Sequence, residues 1–365
     1  MGPKINMGGG MEKNRINIPF FANLTISDYY NEGGFSRGIS GAGDLSHVPK
    51  DVLESADFDT TFHWPEKLPV GFNPQKLIEE CKNPSLGIRK LHKEGITGKG
   101  IKVAIFDQKI SPDHAEFKRN IISYKEYNKQ ECDVSLHGPG VVSLLAGKTC
   151  GVAPDVRVMY SADLSPGKDY SCYIKSLEEV IEYNKNNKEK IKIVSVSKGH
   201  LDEPLLKEWI EIKEKAKKLG ITVIDSQYFI INNITGGGSK TNKDSFDDYE
   251  LPLFYGEVDY QKKITKRKIL AEKVGGEIIV PSDYRTMASR KGDKEYVYNA
   301  KGGWSWAIPY FAGVFALALQ VKPDLTNEEF LEIVRKTAGT TKKGFKVINP
   351  VGIIEEMKKI TKKEN

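Results

Sequence analysis

The sequence predicts an α/β fold with a doubly wound, mostly parallel β-sheet. Between residues 86 and 224, short apolar runs alternate with amphipathic stretches, the pattern of parallel strands joined by crossover helices. Of the 365 residues, 39% are apolar and 28% are charged, which is enough to form a large core beneath a wet surface. This composition excludes collagen-like, disulfide-framework and largely disordered chains.

The predicted strands and helices follow one another in a regular order. Continuous apolar runs that suit strands buried on both faces are Ile101–Phe106, Val156–Tyr160, Ile191–Val196, Ile221–Ile224 and Glu277–Pro281. Amphipathic or apolar segments long enough for helices are His137–Ala146, Ile174–Asn187, Glu203–Leu219, Ser305–Val321, Asn327–Ala338 and Pro350–Lys363.

Two segments fall outside this alternation. Residues 1–85 are rich in Gly, Asn, Asp and Pro and form an N-terminal extension, either a pro-segment or a docking region, in which the glycines of Gly33–Gly43 favour a loop. Residues 236–273 combine a glycine run, an acidic patch and a basic run, so we expect a surface segment inserted into a domain that spans 86–365.

Charge and cysteine content exclude further classes of protein. The 55 Lys and Arg against 49 Asp and Glu leave a net charge of +6, too small an excess to indicate nucleic-acid binding. The four cysteines lack the spacing of a zinc or redox motif. We expect no membrane partner, because runs such as Ala312–Leu319 are too short to span a bilayer. Residues 1–15 lack a signal-peptide core, so we expect a cytoplasmic protein, or a secreted one if a leader has been lost.

An aspartate, a histidine and a serine, residue types common in catalysis, lie at predicted turns between strands and helices. Open α/β sheets form their active sites at the carboxyl ends of the strands, where such turns lie. Asp107 follows a predicted strand directly, while His137 and Ser305 each lie at the turn into a predicted helix. Each of them alone is explained by capping or local hydrogen bonding. Together they match a triad, in which an imidazole takes the proton of the serine and a buried carboxylate orients the imidazole.

The order of these residues along the chain separates the serine hydrolase folds. No histidine follows Ser305, which excludes the Ser, acid, His order of α/β-hydrolases. The order Asp107, His137, Ser305 is that of subtilisin. A second match to a nucleophile motif, Gly34–Gly38, lacks the apolar strand that should precede it, and no glycine-rich phosphate loop follows a strand.

Several motifs in this order resemble those of the subtilisin-like serine proteases, the subtilases or peptidase S8 family. They are Gly95–Asp107, Asp113–Phe117, His137–Val142 with Gly151–Pro154, Ser195–Gly199, and Gly303–Pro309 with Ala312–Gly313, so the resemblance covers roughly residues 86–355. The resemblance implies a three-layer α/β/α sandwich and a serine endopeptidase that acts on peptides or proteins. It also implies that Ser197, Lys198 and Gly199 bind the substrate backbone, and that no cofactor is required.

The chain departs from the family pattern near the site. Gln108 and Lys109 follow the aspartate, and Pro139 and Trp304 replace threonines. The family's oxyanion asparagine aligns at or near Phe229, so the side-chain donor stays unassigned among Gln227, Asn232 and Asn233, beside the Ser305 backbone N–H. These departures support an alternative function, that of a weak or inactive pseudoprotease acting as a peptide-binding or regulatory module.

Two surface features have simpler explanations than ligand binding. Many subtilases carry structural calcium, but the acidic patch Asp244–Glu250 lacks the EF-hand spacing and suits a solvated loop. The basic run Lys262–Lys268 lacks interleaved aromatic residues, so we expect a solvated face and no nucleic-acid partner. The sequence gives no indication of oligomeric state, cleavage specificity or pathway.

Overall fold

The computed structural model describes residues 44–128, 131–164, 170–198, 204–241, 243–251 and 278–364, and the backbone of three strands at 15–17, 25–31 and 34–40. In chain order, its strands are β1 (Arg15–Asn17), β2 (Thr25–Asn31), β3 (Gly34–Ser40), β4 (Phe58–Asp59), β5 (Lys102–Gln108), β6 (Ile121–Tyr127), β7 (Arg157–Asp163), β8 (Ile191–Val196), β9 (Thr222–Ile224), β10 (Ile234–Gly237), β11 (Ile278–Pro281), β12 (Arg285–Ala288), β13 (Tyr296–Asn299), β14 (Gly339–Thr340) and β15 (Lys346–Val347). Its helices are α1 (Lys50–Glu54), α2 (Pro74–Glu80), α3 (Ile88–Lys93), α4 (His137–Ala146), α5 (Ser171–Asn186), α6 (Leu206–Lys218), α7 (Ser226–Asn232), α8 (Trp304–Val321), α9 (Asn327–Thr337) and α10 (Pro350–Glu364).

A five-stranded parallel sheet organises the fold. Its strand order is β6-β7-β5-β8-β9, and every neighbouring pair is parallel. The chain adds β6 and β7 on one side of β5, then β8 and β9 on the other. The carboxyl end of β5 is therefore the switch point at which α/β sheets place their ligands.

Helices cover both faces of this sheet, as the alternation of side chains along β5 shows. Val103 and Ile105 pack into the core that contains α4 and α8, whereas Ala104 and Phe106 pack into the core beneath α5 and α6. A strand that is buried on both faces has a nearly continuous run of apolar residues. β5 and β8 were predicted well because their sequences show such runs. The predicted α/β class and three-layer arrangement are confirmed.

A second sheet has the order β10-β11-β15-β14 and corrects one predicted boundary. β10 and β11 are parallel, and Gly236 and Gly237 are buried residues at the end of β10. The surface segment expected to begin at residue 236 therefore begins inside a buried strand. Tyr249 is also buried, while residues 252–273 of that segment lie outside the described residues.

Residues 44–85 pack onto the rest of the chain. β4 pairs with β13 in an antiparallel sheet with β12, and a core that includes Phe58 and Phe72 closes over Tyr298 and Ala300. The loop predicted over Gly33–Gly43 is wrong for most of its length. β3 pairs in full with β2, because cross-strand hydrogen bonds outweigh the low strand preference of glycine.

Helix α8 is the apolar centre of the molecule. Among the described residues it is the one helix whose length and composition would allow it to cross a membrane, with a mean hydropathy of 1.3 over 18 residues. However, 78% of it is buried inside the protein, as expected of a core helix. The run Ala312–Leu319 lies in the second half of this longer helix.

Candidate active site

Asp107 lies at the carboxyl end of the central strand. It is the penultimate residue of β5, pairs with Ala162 of β7, and is 3% exposed. The backbone N–H of Gln108 donates to its Oδ1 over 2.8 Å. The sequence placed this residue just after the strand, and the strand extends two residues further than predicted.

His137 begins helix α4 and contacts the aspartate. Its Nδ1 lies 2.6 Å from Oδ1 of Asp107, and its side chain is 5% exposed. This is the geometry in which a carboxylate orients an imidazole by accepting a hydrogen bond from Nδ1. Ser135 fixes the backbone here, because its Oγ accepts from the N–H groups of His137 and Gly138, each over 3.0 Å.

The residues that follow His137 allow a close approach of α4 to β5. A β-carbon on Gly138 would lie 2.5 Å from the carbonyl oxygen of Gln108, so a larger residue would push α4 away from the strand. Pro139 is the third residue of α4, where the backbone N–H has no intrahelical acceptor, and the helix loses nothing by its absence. This departure from the family pattern therefore leaves the histidine position intact.

Ser305 is the second residue of α8 and is half-buried. Its carbonyl oxygen accepts a 2.9 Å hydrogen bond from Oγ of Ser197, just beyond β8. The next residue, Trp306, packs against His137, with 5.2 Å between the centroids of the two rings. These two contacts bring the start of α8 to the edge of the sheet where Asp107 and His137 meet.

The amino end of α8 offers backbone N–H groups to a ligand. Gly303 caps the helix in an extended conformation without a side-chain hydrogen bond, and the first N–H groups of any helix lack intrahelical acceptors. Ser305 therefore stands at the positive end of an 18-residue helix. An anion that develops next to it is stabilised by that field.

The predicted substrate-binding residues follow β8. Ser197 bonds to Ser305, as described above, and Lys198 directs its Nζ toward the rings of Tyr170 and Tyr173, 5.0 Å from each centroid. Both residues lie past the last paired position of β8, Val196. Gly199 lies outside the described residues.

Of the three candidate oxyanion residues, Gln227 and Asn232 each hydrogen-bond to another residue through the side-chain amide, and Asn233 is buried. Oε1 of Gln227 accepts from Lys213 over 2.8 Å, and Nδ2 of Asn232 donates to the carbonyl of Tyr228 over 2.9 Å. Asn233 ends α7 in a left-handed conformation with a φ of 59°. Its Nδ2 is buried and has no hydrogen-bond partner among the described residues.

Phe229, at or near which the sequence placed the family's asparagine, lies inside a helix. α7 is capped by Asp225, whose carboxylate accepts from the N–H of Tyr228. Phe229 is fully buried, with its ring 6.2 Å from Trp304 and 5.8 Å from Phe311. Trp304, the bulky residue before Ser305, thus packs against an aromatic side chain of α7.

The hydroxyl of Tyr160 supports the carboxyl end of β5. The hydroxyl of Tyr160 donates to the carbonyl of Gln108 over 2.7 Å. Burial, assisted by the nearby Asp107 carboxylate, raises the pKa of Tyr160 well above its ordinary value. The phenol therefore remains a neutral donor that anchors the end of β5.

Three carboxylates of the acidic patch contact positive or hydrogen-bond donor groups. The N–H of Gly87 donates to Asp244, Lys342 lies 3.6 Å from Asp247, and Lys343 lies 2.5 Å from Glu250. Throughout the described ranges, no three His, Cys, Asp or Glu side chains come together as metal ligands do.

Three positioning contacts were missed by sequence reasoning. Ser135 precedes a helix by two residues, and a serine in that place is a capping signal that could have been recognised. The packing of Trp306 on His137 and the hydrogen bond from Trp306 Nε1 to Asn299 (3.0 Å) join distant segments. No local sequence pattern indicates either contact.

The comparisons with known proteins agree on one family. The family model described as the subtilase family matches residues 98–241, a range that includes Asp107 and His137 and ends before Ser305. Three Bacillus subtilis (strain 168) relatives are similar to the chain. The minor extracellular protease Epr is 24% identical over 80% of this chain and 43% of the relative. The serine protease AprX is 28% identical over 68% and 62%, and the major intracellular serine protease is 25% identical over 67% and 78%. The chain thus spans less than two thirds of the length of the first two.

Solved structures share the fold at low identity. The prenylagaramide maturation protease PagA superposes with a TM-score of 0.51 at 18% identity, over 74% of this chain and 98% of that one. The subtilase cytotoxin SubAB structure gives 0.52 at 15% identity, over 76% and 96%. The family model, the Bacillus relatives and the ordered motifs therefore support a divergent subtilase, and the solved structures show that it shares their fold.

Proposed function

We propose that this subtilase is a serine endopeptidase whose catalytic triad is Asp107, His137 and Ser305. The observation that carries the proposal is the 2.6 Å contact between Nδ1 of His137 and Oδ1 of Asp107, buried at the switch point of the sheet. A buried carboxylate on one imidazole nitrogen leaves Nε2 available as a base. The helix that carries Ser305 packs directly against that imidazole through Trp306.

Each residue has a defined role in the proposed reaction. Oγ of Ser305 attacks the scissile carbonyl carbon while Nε2 of His137 accepts the hydroxyl proton, and Asp107 stabilises the resulting imidazolium. The oxyanion is held by the Ser305 N–H at the positive end of α8. The imidazolium then donates its proton to the leaving amine, and water hydrolyses the acyl-enzyme by the same route. This chemistry requires no metal or organic cofactor.

We further propose that the substrate is an extended peptide bound along the segment after β8. The backbone of Ser197 and Lys198 continues beyond the last paired residue of β8, so its polar groups can pair with an added strand. The hydrogen bond from Ser197 to the Ser305 carbonyl ties this segment to the nucleophile. A peptide paired here would therefore pass the serine in a fixed register.

A peptide-hydrolysis assay tests the endopeptidase function. The purified full chain is incubated with a mixture of unrelated peptides, and products are identified by mass spectrometry beside Ser305→Ala and His137→Ala. We expect internal cleavage by the wild type and its loss in both variants. Equal cleavage by all three proteins would indicate a contaminant and would refute the triad.

The burial of Phe229 supports a second candidate, a peptide-binding pseudoprotease. Loss of one oxyanion donor costs roughly 10²–10³ in rate, which can leave binding without useful turnover. This function predicts that peptides bind to the wild type and to Ser305→Ala with equal affinity, and that no product forms. Isothermal titration with peptides from the same mixture separates the two candidates.

A further inference from the structure

A hydrogen-bonded path runs from the N-terminal region to the candidate active site. β4 pairs with β13 so that Phe58 lies opposite Tyr298, and Asp57, which precedes β4, contacts Asn299. The Asp57 carboxylate accepts from Nδ2 of Asn299 over 3.0 Å and from the N–H of Ala300 over 2.8 Å. Both carboxylate oxygens are thereby used to hold the end of β13.

The contact with Asp57 determines which way the Asn299 amide points. A carboxylate accepts hydrogen bonds, so the NH₂ group of Asn299 faces Asp57 and its Oδ1 faces the opposite way. There, Oδ1 accepts from Nε1 of Trp306 over 3.0 Å. Asn299 is 6% exposed and Trp306 is 1% exposed, so little water is present to replace either bond.

Trp306 is held between this amide and the catalytic histidine. Its ring centroid lies 5.2 Å from that of His137, with an angle of 34° between the planes. On the side of α4, a β-carbon at Gly140 would come within 2.9 Å of the indole, so the ring fits closely there. Rotation of the indole away from Asn299 would therefore remove the wall against which His137 packs.

The region that supplies Asp57 is itself firmly attached. The hydroxyl of Tyr298 donates to the carbonyl of Glu54 over 2.7 Å, and Phe58 packs 5.2 Å from the Tyr298 ring. On the outer side of β4, Asp59 pairs with Lys291 over 2.7 Å. Residues 44–85 thus form a fixed support rather than a loosely tethered segment.

We propose that Asp57 is a positioning residue, which sets the placement of His137 through Asn299 and Trp306 and makes residues 44–85 a working part of the active site. The proposal rests on the proposed function and deepens it. Residues 44–85 belong to the extension that could have been a removable pro-segment. The proposal implies that they are needed for full activity. Asp57 touches neither substrate nor reacting atoms, and acts through the indole alone.

Variants at Asp57 and Asp59, the two residues that flank Phe58, form a matched test. Asp57→Ala removes the acceptors for Asn299 and Ala300, whereas Asp59→Asn breaks the contact with Lys291 and leaves the path to Trp306 intact. The first readout is the NMR signal of the His137 ring protons, assigned with His137→Gln, because the ring current of Trp306 acts on them. The second is the labelling rate of Ser305 by a fluorophosphonate probe.

We expect Asp57→Ala to shift the His137 ring signals and to slow labelling roughly 10- to 100-fold, since small misplacements of catalytic groups cost this much. Asp59→Asn should match the wild type in both readouts. Unfolding would lower the amplitude of labelling and leave the rate of the folded fraction unchanged. If Asp57→Ala is too unstable to measure, Trp306→Phe keeps a ring but loses the bond to Asn299, and it should slow labelling in the same way.

The outcomes distinguish this inference from the proposed function. Wild-type His137 signals and labelling rate in Asp57→Ala would overturn the positioning role while leaving the peptidase function standing. A wild type that never labels would overturn the peptidase function. The ring signals of His137 in the two variants would then still decide whether Asp57 positions it.

Discussion

Phe229→Asn is the substitution that the family pattern alone would recommend, and the structure predicts that it damages the protein. Phe229 lies inside α7, fully buried between Trp304 and Phe311. Truncating a buried phenylalanine costs about 3–5 kcal/mol, and a buried amide without partners costs about 1–3 kcal/mol more. Asparagine fills part of the cavity, so we expect a loss of about 5 kcal/mol, a large share of the stability of an ordinary domain.

Denaturant titration followed by tryptophan fluorescence measures this loss, with Phe229→Leu as the control. Leucine keeps an apolar side chain in the same space, so its cost should be about 1–2 kcal/mol. The labelling rate of Ser305 should not rise in Phe229→Asn. A folded Phe229→Asn protein of wild-type stability that labels faster would mean that position 229 faces the oxyanion, and the account of α7 would be wrong.

Three further predictions concern the groups that hold the site. Asp107→Asn should keep the fold, as judged by circular dichroism, and lower the labelling rate of Ser305 by roughly 10⁴-fold, because the wrong imidazole tautomer is then favoured. Ser135→Ala should cost about 0.5–2 kcal/mol in denaturant titration, because the first N–H groups of α4 lose their acceptor; an unchanged midpoint would contradict that capping role. Glu116 is buried, which raises its pKa, but hydrogen bonds from Thr149, Tyr296 and the Cys150 N–H outweigh burial and hold the pKa below its usual 4.5. Its carboxylate therefore adds stability above about pH 4.5 that disappears as the pH falls through the lowered pKa, so the cost of Glu116→Gln should be largest at neutral pH and shrink in acid.

The elements that were predicted best are those in which a short stretch of sequence already shows the apolar pattern of a buried strand or helix. β8 was predicted at its observed bounds because all its positions except Lys192 are apolar or small. α4 was likewise predicted from end to end. α7 was missed, since Ser226–Asn232 is too short to show helical periodicity. β3 and β10 were missed because their glycines indicate loops, whereas the partner strands that stabilise them are remote in sequence.

The same reasoning applies to the candidate site. Motif order identified Asp107, His137 and Ser305, and the first two meet in the structure. The supporting contacts were not predictable, because Asp57 and Asn299 are 242 residues apart and become neighbours only through the pairing of β4 with β13. Candidate oxyanion amides were proposed by counting along the chain, and a helix in place of a loop makes such counting fail.

The central claim is that His137 and Asp107 activate Ser305, and fluorophosphonate labelling with peptide mapping tests it most directly. We expect a single adduct on Ser305 in the wild-type full chain, absent from both Ser305→Ala and His137→Ala. No adduct on the folded wild type, or an adduct that persists in His137→Ala at the wild-type rate, would contradict it.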